Sequence, residues 1–347
     1  MARPYGNVVP VVSESIGSLG IEIDDPALEA AVVSRLAEVE AQIHTVVHSD
    51  HPLVAEAARH LVDAGGKRLR PLLVALAAEF GPLHDHEVRD AAIVVELTHL
   101  ATLYHDDVMD EAAVRRGAVS ANSRWGNSVA ILVGDYLFAR AATVAASLGP
   151  EAVRIQAETF ARLVHGQIAE TVGPQAGDDP VEHYLHVITE KTGSLIATSA
   201  RFGAMFGGAG PAEVAALASY GETIGIAFQL SDDLIDIASE SAQSGKTPGT
   251  DLREGVPTLP VLYALASDDP APDSLRLRQI LAAGPVTDDA LHAEALILLR
   301  QSEAMKMARE TVRSYAESAR TQLQVLPAGS ARAALESLCD FIADRTG

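Results

Sequence analysis

Apolar residues recur every three or four positions along nearly the whole chain, and that period restricts the fold more than any other feature. From Asp25 onward, Leu28, Val32, Leu36, Val39 and Ile43 fall on one helical face. Aromatic residues make up only 4% of the chain, and no stretch alternates as a half-buried strand does. Helix stops fall at Gly65-Gly66, Gly81-Pro82, Gly149-Pro150, Gly173-Pro174 and Gly207 through Pro211. The spacing predicts an all-α bundle of roughly ten or more helices. Residues 1–24, with Pro4 and Pro10 and no sustained period, read as an N-terminal arm. Residues 25–347 read as one domain: 267–289, rich in Pro, Gly and Asp, is a long loop, because the amphipathic stretches 291–324 and 331–344 need a partner surface. The segment 128–147 is apolar on every face and is expected to sit centrally, with neighbours all round.

Charge narrows the function classes. Against 47 Asp and Glu stand 26 Lys and Arg, a net −21. A chain this acidic repels nucleic acid and anionic lipid. The 48% hydrophobic share suffices for a sizeable core. A lone cysteine, Cys339, makes no internal disulfide and no cysteine-based zinc site. No leader pattern is read at the N-terminus, and no charge-free apolar run approaches the ~20 residues of a spanning helix. The expectation is a soluble cytoplasmic protein.

Residues 106–110 read Asp-Asp-Val-Met-Asp and residues 232–236 read Asp-Asp-Leu-Ile-Asp, each after an apolar helical run. On a helix, Asp106 and Asp110 stack on one face with Asp107 alongside, and Asp232, Asp233 and Asp236 repeat that geometry. Like charges so placed repel unless cations neutralise them. Hard divalent ions do this, and magnesium commonly takes one or two carboxylates plus substrate phosphates. A solvated acidic face is the competing explanation, but such faces seldom follow uninterrupted core sequence, and here the spacing occurs twice.

The scarce cations cluster. Lys67, Arg68 and Arg70 follow the helix-ending Gly65-Gly66 and precede a new apolar helix, a place suited to a phosphate group. Arg115-Arg116-Gly117 follows the first triplet, and Lys191-Thr192 and Lys246 lie in neutral surroundings. Carboxylates for a metal and cations for phosphate together describe a metal–diphosphate site. Other motifs are weaker. Glu96-Leu97-Thr98-His99 matches a di-iron ligand pattern without the second copy such a site needs. Gly245-Lys246-Thr247 lacks the preceding glycine of a P-loop.

Taken in order, these motifs resemble those of the trans-type polyprenyl diphosphate synthases. They are Gly-Gly-Lys-Arg-Leu-Arg-Pro (65–71), His-Asp-Asp-Val-Met-Asp (105–110), Arg-Arg-Gly (115–117), Gly-Asp-Tyr-Leu (134–137), Lys-Thr-Gly (191–193), Phe-Gln-Leu-Ser-Asp-Asp-Leu-Ile-Asp (228–236) and Gly-Lys through Thr-Leu-Pro (245–260). The resemblance implies helices around a central cavity and an enzyme that condenses isopentenyl diphosphate head-to-tail onto an allylic diphosphate. It implies that Lys67, Arg70, His99 and Arg116 bind isopentenyl diphosphate. Asp106, Asp110 and Asp232, supported by Asp107, Asp233 and Asp236, would hold Mg2+. Arg115, Lys191, Thr192, Gln229 and Lys246 would grip the allylic diphosphate, with Asp106, Asp110, Lys191 and Asp232 carrying the catalysis. One departure is Val256-Pro257, where some branches place a lysine.

The resemblance also implies a homodimer and, from the greasy product, transient membrane contact. In the family that the chain resembles, bulky aromatics at the positions of Ala101 and Thr102, five and four residues before Asp106, stop chain growth early; here both are small. They predict a product beyond geranylgeranyl length, of the quinone side-chain kind. The alternatives are a geranylgeranyl- or farnesyl-length synthase, a class I terpene cyclase and a non-catalytic regulatory subunit. Cyclases usually replace the second triplet and lack the paired basic motifs, and regulatory subunits lose metal ligands that this chain retains.

Overall fold

The computed structural model describes residues 17, 19–238 and 248–345; most of the expected arm, and Lys246, lie outside the described residues. In chain order the helices are α1 (Pro26–Val46), α2 (Pro52–Asp63), α3 (Leu69–Ala78) and α4 (Asp85–Met109). A hairpin of β1 (Val114–Arg115) and β2 (Ala118–Val119) leads to α5 (Ala121–Trp125), α6 (Asn127–Ser147), α7 (Pro150–Val172) and α8 (Pro180–Ile188). Then come α9 (Ser194–Phe206), α10 (Pro211–Ala238), α11 (Thr250–Glu254) and α12 (Leu259–Ala266). The chain ends with α13 (Pro272–Leu281), α14 (Asp289–Gln301), α15 (Glu303–Gln322) and α16 (Ser330–Asp344). The all-α expectation holds. Helix starts follow sequence chemistry: Asp25 and Asp179 each precede a proline and accept two backbone amides of the first turn.

Two compact units share the chain. The first joins 1–161, 195–221 and 322–338. Its central helix is α4, packed on α6, α3 and α1, with Leu97, Leu100, Ala101 and Tyr104 fully buried. The segment expected to be central, 128–147, is instead one-sided. Helix α6 buries Ala130, Val133, Gly134, Leu137, Ala141 and Ala145, whereas Ile131 is 43% and Leu132 65% exposed. Its small residues let it approach its neighbours closely on one face, and among the described residues nothing covers Ile131 and Leu132 on the other. By length and composition alone α6 could cross a membrane, although Asp135 and Arg140 lie within it.

Helix α9 meets α3 through glycines. A Cβ on Gly203 would stand 2.3 Å from the Val74 carbonyl oxygen, and one on Gly207 2.5 Å from that of Ala78. Backbone cannot yield as a side chain can. Gly203→Ala is therefore expected to lower stability by about 2 kcal/mol despite better helix propensity; a raised denaturation midpoint would refute this close-approach account.

The second unit joins 162–194, 222–321 and 339–347. Between α8 and α9 the residues Thr189–Gly193 form a π-helical turn, a device frequent at functional positions. A Cβ on Gly166 would come within 2.6 Å of the Lys191 amide nitrogen, so α7 lies directly against that turn.

Candidate active site

In the first unit, α4 carries its polar groups at its C-terminal end. Asp106 is half-buried, Asp110 exposed and Asp107 wholly buried. Asp107 Oδ1 accepts from Arg115 Nε at 2.5 Å, while its buried Oδ2 has no hydrogen-bond partner among the described residues. Arg115 Nη2 also lies 3.8 Å from Asp110. The β1–β2 hairpin presents this arginine: Val114 pairs with Val119 and Arg115 with Ala118. Arg116 and Gly117 make the turn at φ 52° and 76°, the positive values that a two-residue hairpin of right-handed twist requires. Behind Asp106, His105 Nε2 lies 3.1 Å from the Ile131 carbonyl and 3.4 Å from Asp135. A Cβ on Gly134 would collide with that ring at 2.3 Å, so the glycine of the Gly-Asp-Tyr-Leu motif seats the histidine.

The basic motif divides. Lys67 is exposed, but Arg68 turns inward. It meets Glu40 with two hydrogen bonds of 2.7 Å, Glu96 at 2.8 Å and the carbonyls of Val62 and Gly65. Burial lowers its pKa, but the carboxylates of Glu96 and Glu40 outweigh that and raise it above the usual arginine value. Of the three clustered cations, Arg68 is thus occupied with protein carboxylates. Arg70 remains a neighbour of Arg116 and Glu96, its pKa lowered to about 10 by burial, and its buried Nε has no hydrogen-bond partner among the described residues. Arg116 donates to the carbonyls of Leu61, at 3.2 Å, and Gly65. His99 is held neutral, far below its usual range, first by burial and then by Arg70 and Arg116. Arg70, His99 and Arg116, separate in sequence, form one electrostatic cluster. Ala101 is fully buried, and the Thr102 hydroxyl donates to the His99 carbonyl at 2.7 Å.

In the second unit each carboxylate of the second triplet has its own setting. Asp232 pairs with Arg345 at 2.9 Å. Asp233 is buried and accepts from Tyr184 and, at 2.8 Å, from Gln229 Nε2. Burial, with the Asp232 and Asp236 charges adding to it, pushes its pKa up to about 7. Asp236 accepts from the amides of Thr250 and Asp251 at 3.3 and 3.2 Å, at the start of α11. Thr192 donates to Gln229 at 3.1 Å, so Thr192, Gln229, Asp233 and Tyr184 form one hydrogen-bonded chain. Lys191 donates to Glu170.

Sequence reasoning missed Tyr184, Glu170 and Arg345, whose partners lie far along the chain. It also set Glu96 aside, although a carboxylate inside the run Val94-Val95-Glu96-Leu97 is itself a signal that a buried charge needs a counter-ion.

Among the described residues no three His, Cys, Asp or Glu side chains gather as a cage for one ion. Each aspartate triplet offers carboxylate oxygens, and magnesium takes one or two carboxylates and completes its octahedron with water and phosphate oxygens. The chemistry of these oxygen donors fits that ion and would not suit one that demands nitrogen or sulfur ligands.

Comparisons with known proteins agree with this chemistry. A family model described as Polyprenyl synthetase matches residues 51–319. The chain is 51% identical to a nonaprenyl diphosphate synthase of Mycobacterium tuberculosis, over 94% of this chain and 97% of the relative. It is 44% identical to a dimethylallyltranstransferase of the same organism, over 92% and 97%. A crystal structure of geranylgeranyl pyrophosphate synthase from Corynebacterium glutamicum, complexed with calcium and isoprenyl diphosphate, superposes with a TM-score of 0.85 at 47% identity, covering 94% of this chain and 100% of that one.

Proposed function

Because the chain belongs to the Polyprenyl synthetase family, we propose that it is a prenyltransferase that joins isopentenyl diphosphate head-to-tail to an allylic diphosphate. It releases diphosphate and builds an all-trans polyprenyl chain of quinone side-chain length. The observation that carries this reading is the pairing of two aspartate triplets with basic side chains, here Arg115 on Asp107 and a buried Arg70–His99–Arg116 cluster. Single-diphosphate chemistry needs only half of that equipment.

The residues divide the work. Lys67, Arg70, His99 and Arg116 bind the isopentenyl diphosphate, with the neutral His99 ring able to donate one hydrogen bond without adding charge. Arg115, Lys191, Thr192, Gln229 and Lys246 hold the allylic diphosphate. Asp106, Asp110 and Asp232, with Asp107, Asp233 and Asp236 behind them, present the carboxylates for Mg2+. That ion, when bound, neutralises charge on the departing diphosphate. The apolar wall of α4 excludes water from the allylic cation, the isopentenyl double bond attacks it, and loss of a proton restores an allylic diphosphate. No protein nucleophile is required.

The exposed apolar face of α6, with Ile131 and Leu132, supports a homodimer. The enzyme works in the cytoplasm, touching membrane only to release product. A geranylgeranyl-length product is the second reading. It is favoured by the full burial of Ala101, which is also what helix packing alone would produce.

Product analysis with isopentenyl diphosphate, Mg2+ and a panel of allylic starters tests the proposal. Long all-trans products are expected, and none after chelation. A cyclic hydrocarbon formed without isopentenyl diphosphate would overturn the reading in favour of a cyclase. In the same assay Ala101→Phe shortens the product by several isoprene units; an unchanged distribution would refute Ala101 as the floor of the well.

A further inference from the structure

Four non-glycine residues among those described adopt a left-handed backbone: Arg68 at φ 51°, Leu83 at 67°, Glu111 at 50° and Arg116 at 52°. Such positions are costly and persist where the surroundings over-determine them. The two arginines lie 48 positions apart in sequence, on different loops, yet both reach the same oxygen. Glu96 Oε1 accepts from Arg68 Nη1 at 2.8 Å and lies 4.0 Å from Arg116 Nη2. Glu96 is 1% exposed and sits one turn before His99 on α4.

The surrounding contacts converge on one turn of chain. Arg116 donates to the Gly65 carbonyl and to that of Leu61. Its guanidinium covers Gly66, whose φ of 143° and missing Cβ (an added one would lie 2.8 Å from the arginine carbon) make that contact possible. Arg68 closes the same turn from within through Gly65 and Val62. The Glu96 charge is the largest influence favouring the charged form of Arg68, Arg70 and Arg116 alike. Without it three crowded guanidiniums would repel one another, and two strained loops would lose the group they share.

We propose that Glu96 is a positioning residue for isopentenyl diphosphate: its buried carboxylate draws Arg116 by its charge at 4.0 Å and, through its hydrogen bond with Arg68, holds the 65–70 turn on which Arg116 rests, so that Lys67, Arg70 and Arg116 meet the diphosphate as one preformed set. The inference rests on the reading that those three residues bind this diphosphate. It assigns Glu96 no contact with substrate.

Steady-state kinetics of Glu96→Gln decide between positioning and mere charge balance. The variant keeps shape and an acceptor but loses the charge. Positioning predicts a KM for isopentenyl diphosphate raised ~10-fold, with kcat and the KM for the allylic substrate nearly unchanged, as loss of pre-organisation on one substrate requires. If Glu96 only offsets positive charge, its removal eases anion binding and that KM falls. An unchanged or lowered KM, or a parallel fall of every parameter, overturns the proposal. Arg116→Gln separates the two levels. Should it raise the isopentenyl KM while Glu96→Gln does not, the positioning role alone fails; should Arg116→Gln leave it unchanged, the underlying binding assignment fails. If Glu96→Gln does not fold, Glu96→Asp carries the test, since it keeps the charge but withdraws it by one methylene. A rise of ~3-fold confined to the same KM supports the role, and no rise refutes it.

Discussion

Replacing Asp106 or Asp232 by alanine lowers kcat by roughly 10^3-fold, while the far-ultraviolet circular dichroism spectrum stays that of the native protein. The size follows from what these side chains are asked to do. An allylic carbon–oxygen bond ionises only when the charge gathering on the diphosphate is met by fixed positive charge, and removal of one such preorganised group commonly costs several kcal/mol of barrier. Both side chains are partly open to solvent, the Asp232 side chain at 45%, so their loss leaves no cavity and the fold is spared. The same variants bind Mg2+ more weakly in calorimetry, a readout independent of turnover. Wild-type turnover in either variant would remove the triplets from the mechanism. Asp107→Ala is a different experiment, because Asp107 is fully buried on Arg115, and its loss disturbs the hairpin as well as the site.

Arg68→Met carries the largest stability effect, a loss of about 3–5 kcal/mol in chemical denaturation. The guanidinium and the Glu96 carboxylate are both almost wholly buried, with side-chain exposures of 7% and 2%. Removing one partner leaves a desolvated charge, which costs more than the pair contributed. Combining Arg68→Met with Glu96→Gln should therefore recover part of the loss, a non-additivity expected of contacting charges. Simple addition of the two losses would show that the pair is not coupled and that Arg68 acts only through its two bonds to Glu40.

The identity of the fold was open to reading because its signals are local. A 3.6-residue period and glycines at helix ends act over a turn or two, so the helix that begins after Asp25 and the apolar run leading into Asp106 could be placed from spacing. The aspartate triplets and the basic turn were equally visible, since their residue types sit on consecutive positions. The helix at 128–147 shows where that logic stopped. Its uniform apolar composition indicated burial, but composition cannot say on how many sides neighbours stand. Packing buried Ala130, Gly134 and Ala141 and left Ile131 and Leu132 uncovered.

The sequence by itself determined an all-helical, acidic chain with two carboxylate clusters and the cations to match, because periodicity and motif chemistry are written in neighbouring residues. Tertiary structure alone decided which of those charges are committed to the protein. Arg68 is spent on Glu40 and Glu96, Asp233 on Tyr184 and Gln229, and Asp232 is met by Arg345 from the far end of the chain. A buried ion's partner is set by distance in space, across separations of up to 113 residues (345 − 232), and no local pattern encodes that distance.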